Sequence, residues 1–138
     1  MLDHHRALIY TMVIVSAADS EMPDAELRII GDIVEDLPVF RDFDQHELPR
    51  LLNDCTQLMS SENGLEETLE AIKTALPVKL RETAYVIACD LVAVDGEASR
   101  EERRILVLIR DRLKIDRLIA AAIERSARAR FQTLQNRI

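Results

Sequence analysis

Two short stretches of this chain concentrate carboxylates at a spacing that could do chemistry. Asp19, Glu21, Asp24 and Glu26 fall in one, and Asp95, Glu97, Glu101 and Glu102 in the other. Hard cations such as Ca2+ and Mg2+ need several carboxylate or carbonyl oxygens converging on one point. Acids at the first, third and eighth places of a loop between helices can supply them. The stretch is shorter than the twelve-residue loop of the EF-hand and lacks its fifth-position ligand. The same residues have a second use. Asp95-Gly96 suits a turn, because Gly reaches positive φ without strain. Acids in a first helical turn interact well with the helix dipole, and Glu102 can close a capping box with Ser99. On the residues alone, capping and cation binding both stand.

Other chemistry finds little support. His4 and His5 are adjacent, so they point to different sides of a helix, and His46 stands alone. All three are expected at the solvated surface. Cys55 and Cys89 belong to no CxxC pair and are expected to be reduced, buried, small hydrophobes. The sequence holds no HExxH, GxGxxG or GxxxxGK[ST] motif. Paired carboxylates can hydrolyse, but only beside a substrate pocket, so the chain is not expected to be an enzyme. Asp90 interrupts the apolar run Tyr85 to Val92. A buried lone carboxylate is costly. It must therefore face solvent, pair with an arginine such as Arg6 or Arg104, or help form a site.

The elements that position these acids repeat. At an offset of 76, Asp19 faces Asp95, Glu21 faces Glu97, Glu26 faces Glu102 and Arg28 faces Arg104. Ile29, Ile33 and Leu37 face Ile105, Ile109 and Leu113 at the same offset. This predicts two copies of a helix–loop–helix unit, at residues 3–37 and 77–113.

Periodicity and caps predict seven helices. The first runs from Asp3 to Ala18. The second starts near Pro23, carries the stripe Leu27, Ile30, Ile33, Val34 and Leu37, and is stopped by Pro38. The third starts near Asp44, with Glu47 completing a capping box, or at Leu48. Asn63 with Glu66 opens the fourth, and the fifth runs from Pro77 to about Val94. Ser99 opens the sixth, which ends near Leu113, and Asp116 caps the seventh. The tail after Arg128 is expected to be peripheral. The fold class is therefore all-α: a single-domain bundle of about seven helices over residues 1–138.

Composition agrees. Aromatic residues make up only 4% and Trp is absent, so the core must be Leu, Ile, Val and Ala. The net charge of −7 is uneven: residues 1–76 carry five Lys/Arg against sixteen Asp/Glu, and residues 77–138 thirteen against nine. The acidic half repels nucleic acid and favours cations or basic partners. The basic half is expected to be a solvated surface laced with ion pairs. The first residues lack a signal-peptide pattern, and the apolar run from Ala7 to Ala18 is shorter than the ~20 residues that span a bilayer. A cytoplasmic location is expected.

The stretch Ala17-Ala18-Asp19-Ser20-Glu21-Met22-Pro23-Asp24-Ala25-Glu26 recurs as Ala93-Val94-Asp95-Gly96-Glu97-Ala98-Ser99-Arg100-Glu101-Glu102. It resembles the signature of TerB-like, tellurite-resistance-associated proteins: apolar helix, Ala-x-Asp-Gly, a Glu, amphipathic helix. It is also similar to the membrane-proximal domain of DjlA-type co-chaperones, without their His-Pro-Asp motif. The resemblance covers nearly the whole chain, which departs from the pattern at Ser20, where the family favours Gly. It implies a two-repeat helical bundle tied to tellurite resistance and stress response. It further implies a divalent-metal site, carried over to Asp19, Glu21, Glu26, Asp95, Glu97 and Glu102. The expected function is thus a divalent-cation-responsive interaction module that binds Ca2+ or Mg2+ weakly. Its partner is a protein, with membrane association only through partners. The alternatives are a scaffold whose acids are caps and, behind it, a carboxylate-based hydrolase.

Overall fold

The computed structural model describes residues 2–19, 24–94 and 98–134. Seven α-helices run in chain order: α1 His4–Ser16, α2 Asp24–Asp36, α3 Leu48–Met59, α4 Gly64–Ala75, α5 Val78–Ala93, α6 Arg100–Arg112 and α7 Arg117–Arg130. There is no strand among the described residues. α2 and α6 occupy the same register 76 residues apart, and α1 shifted by that amount falls inside α5.

α1 is the axis of the bundle. Asp3 caps it, its carboxylate accepting from the Arg6 N–H at 2.8 Å. A helix apolar all round has no face for solvent and must be buried. Every residue from Ala7 to Ser16 is indeed buried. α3, α4, α5 and α6 all pack on it. Leu51 and Cys55 come from α3, Leu69 and Ile72 from α4, and Ile109 from α6, all essentially inaccessible. Burying each large aliphatic side chain stabilises by roughly 1.5–3 kcal/mol. Thr11, at 0% exposure, keeps its hydroxyl satisfied by donating to the Ala7 carbonyl at 2.8 Å.

α2 presents a narrower stripe than the predicted one. Glu26, Ile30 and Val34 are buried, Ile33 and Leu37 half-buried, and Leu27 is exposed. α6 buries Glu102, Ile105, Ile109 and Leu113. The two helices thus turn slightly different faces inward, and position 34 is Val in one unit where position 110 is Arg in the other.

The connections follow their local chemistry. Leu37, ahead of Pro38, is extended, as the pyrrolidine ring demands. Asp44 caps a 3-10 turn, accepting from the His46 N–H at 3.0 Å, and α3 itself begins at Leu48 with Pro49 in its first turn. The predicted capping box does not form there: Glu47 pairs with Arg50 instead. Gly64 opens α4 where α3 has just ended, and a Cβ there would collide with the Met59 carbonyl group. Arg112 ties α6 to Glu66 and Glu70 of α4. After α6, Lys114 takes the left-handed conformation (φ 56°). Its N–H donates to the Asp111 carbonyl at 3.2 Å, and the Ile115 N–H to the Arg110 carbonyl at 3.1 Å. These are the two bonds of a Schellman stop, built here on lysine where glycine is usual. Asp116 then caps α7 through the N–H groups of Leu118 and Ile119.

Candidate functional site

Of the six candidate ligands, Asp19, Glu26 and Glu102 fall within the described residues. Asp19 closes a 3-10 turn over Ala17–Asp19 that continues α1. That turn packs against α6, and α2 packs against α5, so the described parts of the two units pack on one another. Glu21, Asp95 and Glu97 lie outside the described residues, as does Ser20, where the chain departs from the family pattern.

Glu26 and Glu102 are described in full. Each is the third residue of its helix, and each is buried, 2% and 4% exposed. Glu102 forms a complete capping box. The Ser99 N–H donates to its Oε1 at 3.0 Å, and its own N–H donates to the Ser99 hydroxyl at 3.0 Å. Capping is therefore a real role of Glu102, and the Ser99–Glu102 signal was legible in the sequence. At the equivalent place in the first unit stands Pro23. A proline nitrogen carries no hydrogen, so this reciprocal box has no counterpart between Pro23 and Glu26.

The six candidates offer only carboxylate oxygens, a donor type that suits Ca2+ or Mg2+ better than zinc. Among the described residues no three His, Cys, Asp or Glu side chains gather at metal-binding distance. Of the six candidates, only the side chains of Glu26 and Glu102 are among those described.

Asp90 pairs with neither Arg6 nor Arg104. Arg130, from the end of α7, holds it by both terminal nitrogens. The C-terminal end of α7 is thus structural, contrary to the expectation of a peripheral tail. His5 also departs from expectation. It is buried, its Nε2 donating to the Val39 carbonyl at 2.8 Å and lying 3.3 Å from the Asp42 carboxylate. Its ring stacks on Phe40 and meets Phe43 edge-on, with centroids 5.6 and 5.3 Å away. The signal for this nest was in the sequence, since two of only three phenylalanines stand at 40 and 43. Cys55 and Cys89 are free and buried, and burial pushes both thiols up to about 12. Such thiols are neutral and unreactive near neutral pH. No described helix is long and apolar enough to cross a membrane.

Set against known families, residues 5–125 match the one described as tellurite resistance protein TerB. No curated protein and no solved structure matches the chain.

Proposed function

This chain belongs to the TerB family, a tellurite-resistance family, and from that premise we propose that it is a divalent-cation-responsive protein-interaction module. It works in the cytoplasm, whose reducing conditions suit two buried free thiols. It binds Ca2+ or Mg2+ weakly, engages a protein partner, and is not a catalyst.

The observation that carries this reading is the burial of Glu26 and Glu102 at equivalent points of the two units, each one turn beyond an acidic loop. Burying a carboxylate is costly, and one is tolerated where it has hydrogen bonds, an opposite charge or a metal. The capping box accounts for Glu102. Glu26 holds the equivalent place in the first unit, with Pro23 in the sequence where Ser99 stands in the second. Asp19, Glu21 and Glu26 would hold a cation in the first unit, and Asp95, Glu97 and Glu102 in the second. A bound cation supplies positive charge that relieves repulsion among these acids. The chain's own part is positional: the turn ending at Asp19 rests on α6, so a change in the first loop bears directly on the second unit.

Metal-stripped protein titrated with Ca2+, Mg2+ and Mn2+ tests the reading. Weak modules of this kind bind at roughly 10⁻⁴–10⁻³ M. Binding to the folded state alone stabilises by about 2.7 kcal/mol at a hundredfold excess over Kd. Asp95→Asn combined with Glu102→Gln should remove the gain and leave the fold intact, because Gln still completes a capping box. If millimolar cation leaves the wild-type melting temperature unmoved, the acids are caps and turn residues. The Ser99–Glu102 box favours that second reading, a scaffold that binds partners without metal.

A further inference from the structure

α6 and α7 each pack on α5, and between them runs an open groove of about 380 Å3. Its floor is Tyr85, Cys89 and Val92 of α5, all nearly inaccessible. Val107 of α6 lines one wall and is 41% exposed, and Phe131, just past α7, lines the other. The rim is cationic. Arg103 and Arg110 stand on the α6 side and Arg128 on the α7 side. One carboxylate lies among the described lining residues, Glu124, and it is already engaged. The Tyr85 hydroxyl donates to it at 2.5 Å, and Arg110 lies 3.6 Å away. Arg103 gives one nitrogen to the Ala98 carbonyl at 2.7 Å. Neither Arg103 nor Arg128 takes part in an ion pair among the described residues. The groove is thus an apolar trough with a guanidinium on each bank and no free acid among its described lining residues.

We propose that this groove receives the apolar face of an acidic amphipathic helix from a protein partner. The proposal rests on the interaction-module reading and adds to it a site and a partner chemistry. Length and charge decide the occupant. From Tyr85 to Val92 the floor extends about 10.5 Å at 1.5 Å per residue. That is the span between the first and last anchors of a helix docking through positions i, i+3 or i+4, and i+7. Arginines on both banks match acids on both shoulders of such a helix and repel a basic one. Arginine further suits this place because its planar head pairs with carboxylates in two-point contact. The acidic first half of this chain and the basic second half then have separate tasks.

The test uses the full chain and a labelled designed helix of about 16 residues, with Leu at i, i+4 and i+7 and Glu on both flanks. Its counterpart replaces every Glu with Lys. The acidic peptide should bind at low salt, weaken as salt rises, and shift the methyl resonances of Leu106, Val107 and Ala127. Arg128→Glu and, separately, Val107→Asp should each weaken binding by about tenfold or more. Both positions are exposed, and unchanged melting temperatures show that the variants fold. Equal binding of the lysine peptide, equal binding by the variants, or no binding up to millimolar peptide would overturn the proposal. So would a dimer in sedimentation that Val107→Asp dissolves, because the occupant would then be a second copy. Dodecanoate producing the same methyl shifts where the peptide produces none would point to a small amphiphile and also overturn it. Peptide binding that is identical in EDTA and in Ca2+ supports the groove while counting against the cation-responsive reading. Lost peptide binding beside a retained Ca2+ thermal shift overturns the groove alone.

Discussion

Arg130, in the last turn of α7, grips Asp90 of α5 with Nη2 on Oδ1 at 2.5 Å and Nη1 on Oδ2 at 3.2 Å. This hydrogen bonding raises the Arg130 pKa further above its ordinary value, so the partner stays charged. Asp90 is 18% exposed and Arg130 48%. Arg130→Ala strands a carboxylate that has little access to water. The expected loss is about 1–2 kcal/mol, towards the low end for a charged pair because the guanidinium is half in solvent. A double-mutant cycle with Asp90→Ala, read by urea denaturation, checks this. A coupling energy of zero would mean that this pair adds nothing to the hold on α7.

The box at the start of α6 makes a graded prediction. Ser99→Ala should cost about 1 kcal/mol. Glu102→Gln keeps a side-chain acceptor for the Ser99 N–H and should cost less than Glu102→Ala, which leaves that donor without its partner. Equal losses for Gln and Ala would show that the negative charge, and not the hydrogen bond, is what α6 needs.

Gly64→Ala gives a prediction of sign. In an open helical position the change to Ala stabilises by about 1 kcal/mol. Here the added Cβ meets backbone of Met59, and a rigid carbonyl group cannot swing aside. The expected outcome is a loss of about 1–3 kcal/mol. A gain would mean that α3 and α4 sit further apart than described.

Lys114→Gly should act in the opposite direction. Left-handed backbone costs a non-glycine residue roughly 1–2 kcal/mol, and the added chain entropy of Gly cancels part of the relief. A net gain of about 0.5–1 kcal/mol is expected in thermal or urea unfolding, and no change would mean that the lysine is not strained.

Alkaline pH should weaken the fold. Both thiols are raised from 9.0 to about 12 in the folded state, by burial. Between those values the unfolded chain has lost the proton that the folded chain keeps. Stability is therefore intact below pH 9 and falls as pH rises from 9 towards 12. Each thiol contributes a slope of roughly 1.4 kcal/mol per pH unit in that window. Cys55→Ala/Cys89→Ala should flatten the decline, which is measured as urea midpoints from pH 8 to 11. The same burial should leave both thiols unlabelled by iodoacetamide at pH 8 until denaturant is added.

The seven helices were legible because their signals are local. Proline at 38 and 77 and cap residues at 3, 99 and 116 sit within one turn of the ends they define. The side-chain partners were not, because they are set by packing across the chain. Arg130 lies 40 residues from Asp90, and nothing near either residue names the other. His5 reads as a surface histidine until the Phe40 and Phe43 rings are brought to it across more than thirty residues. The acidic loops lay between these cases. Spacing showed that the acids repeat, and the box showed what one of them does, but the pattern that caps a helix is also the pattern that would hold a cation.

The inaccessibility of α1 also sets an order of events during synthesis. It is the earliest of the described helices to be made, and every residue from Ala7 to Ser16 ends up covered. Its cover includes α5 and α6, which are translated much later. At about 5–20 residues per second, roughly 5–20 s separate the emergence of α1 from that of α6. For that interval the ribosome carries a largely apolar segment whose native cover is incomplete. The segment therefore waits for α5 and α6 before its burial is complete. Slowing translation after α4 should lengthen this exposed phase and increase aggregation without changing a single residue.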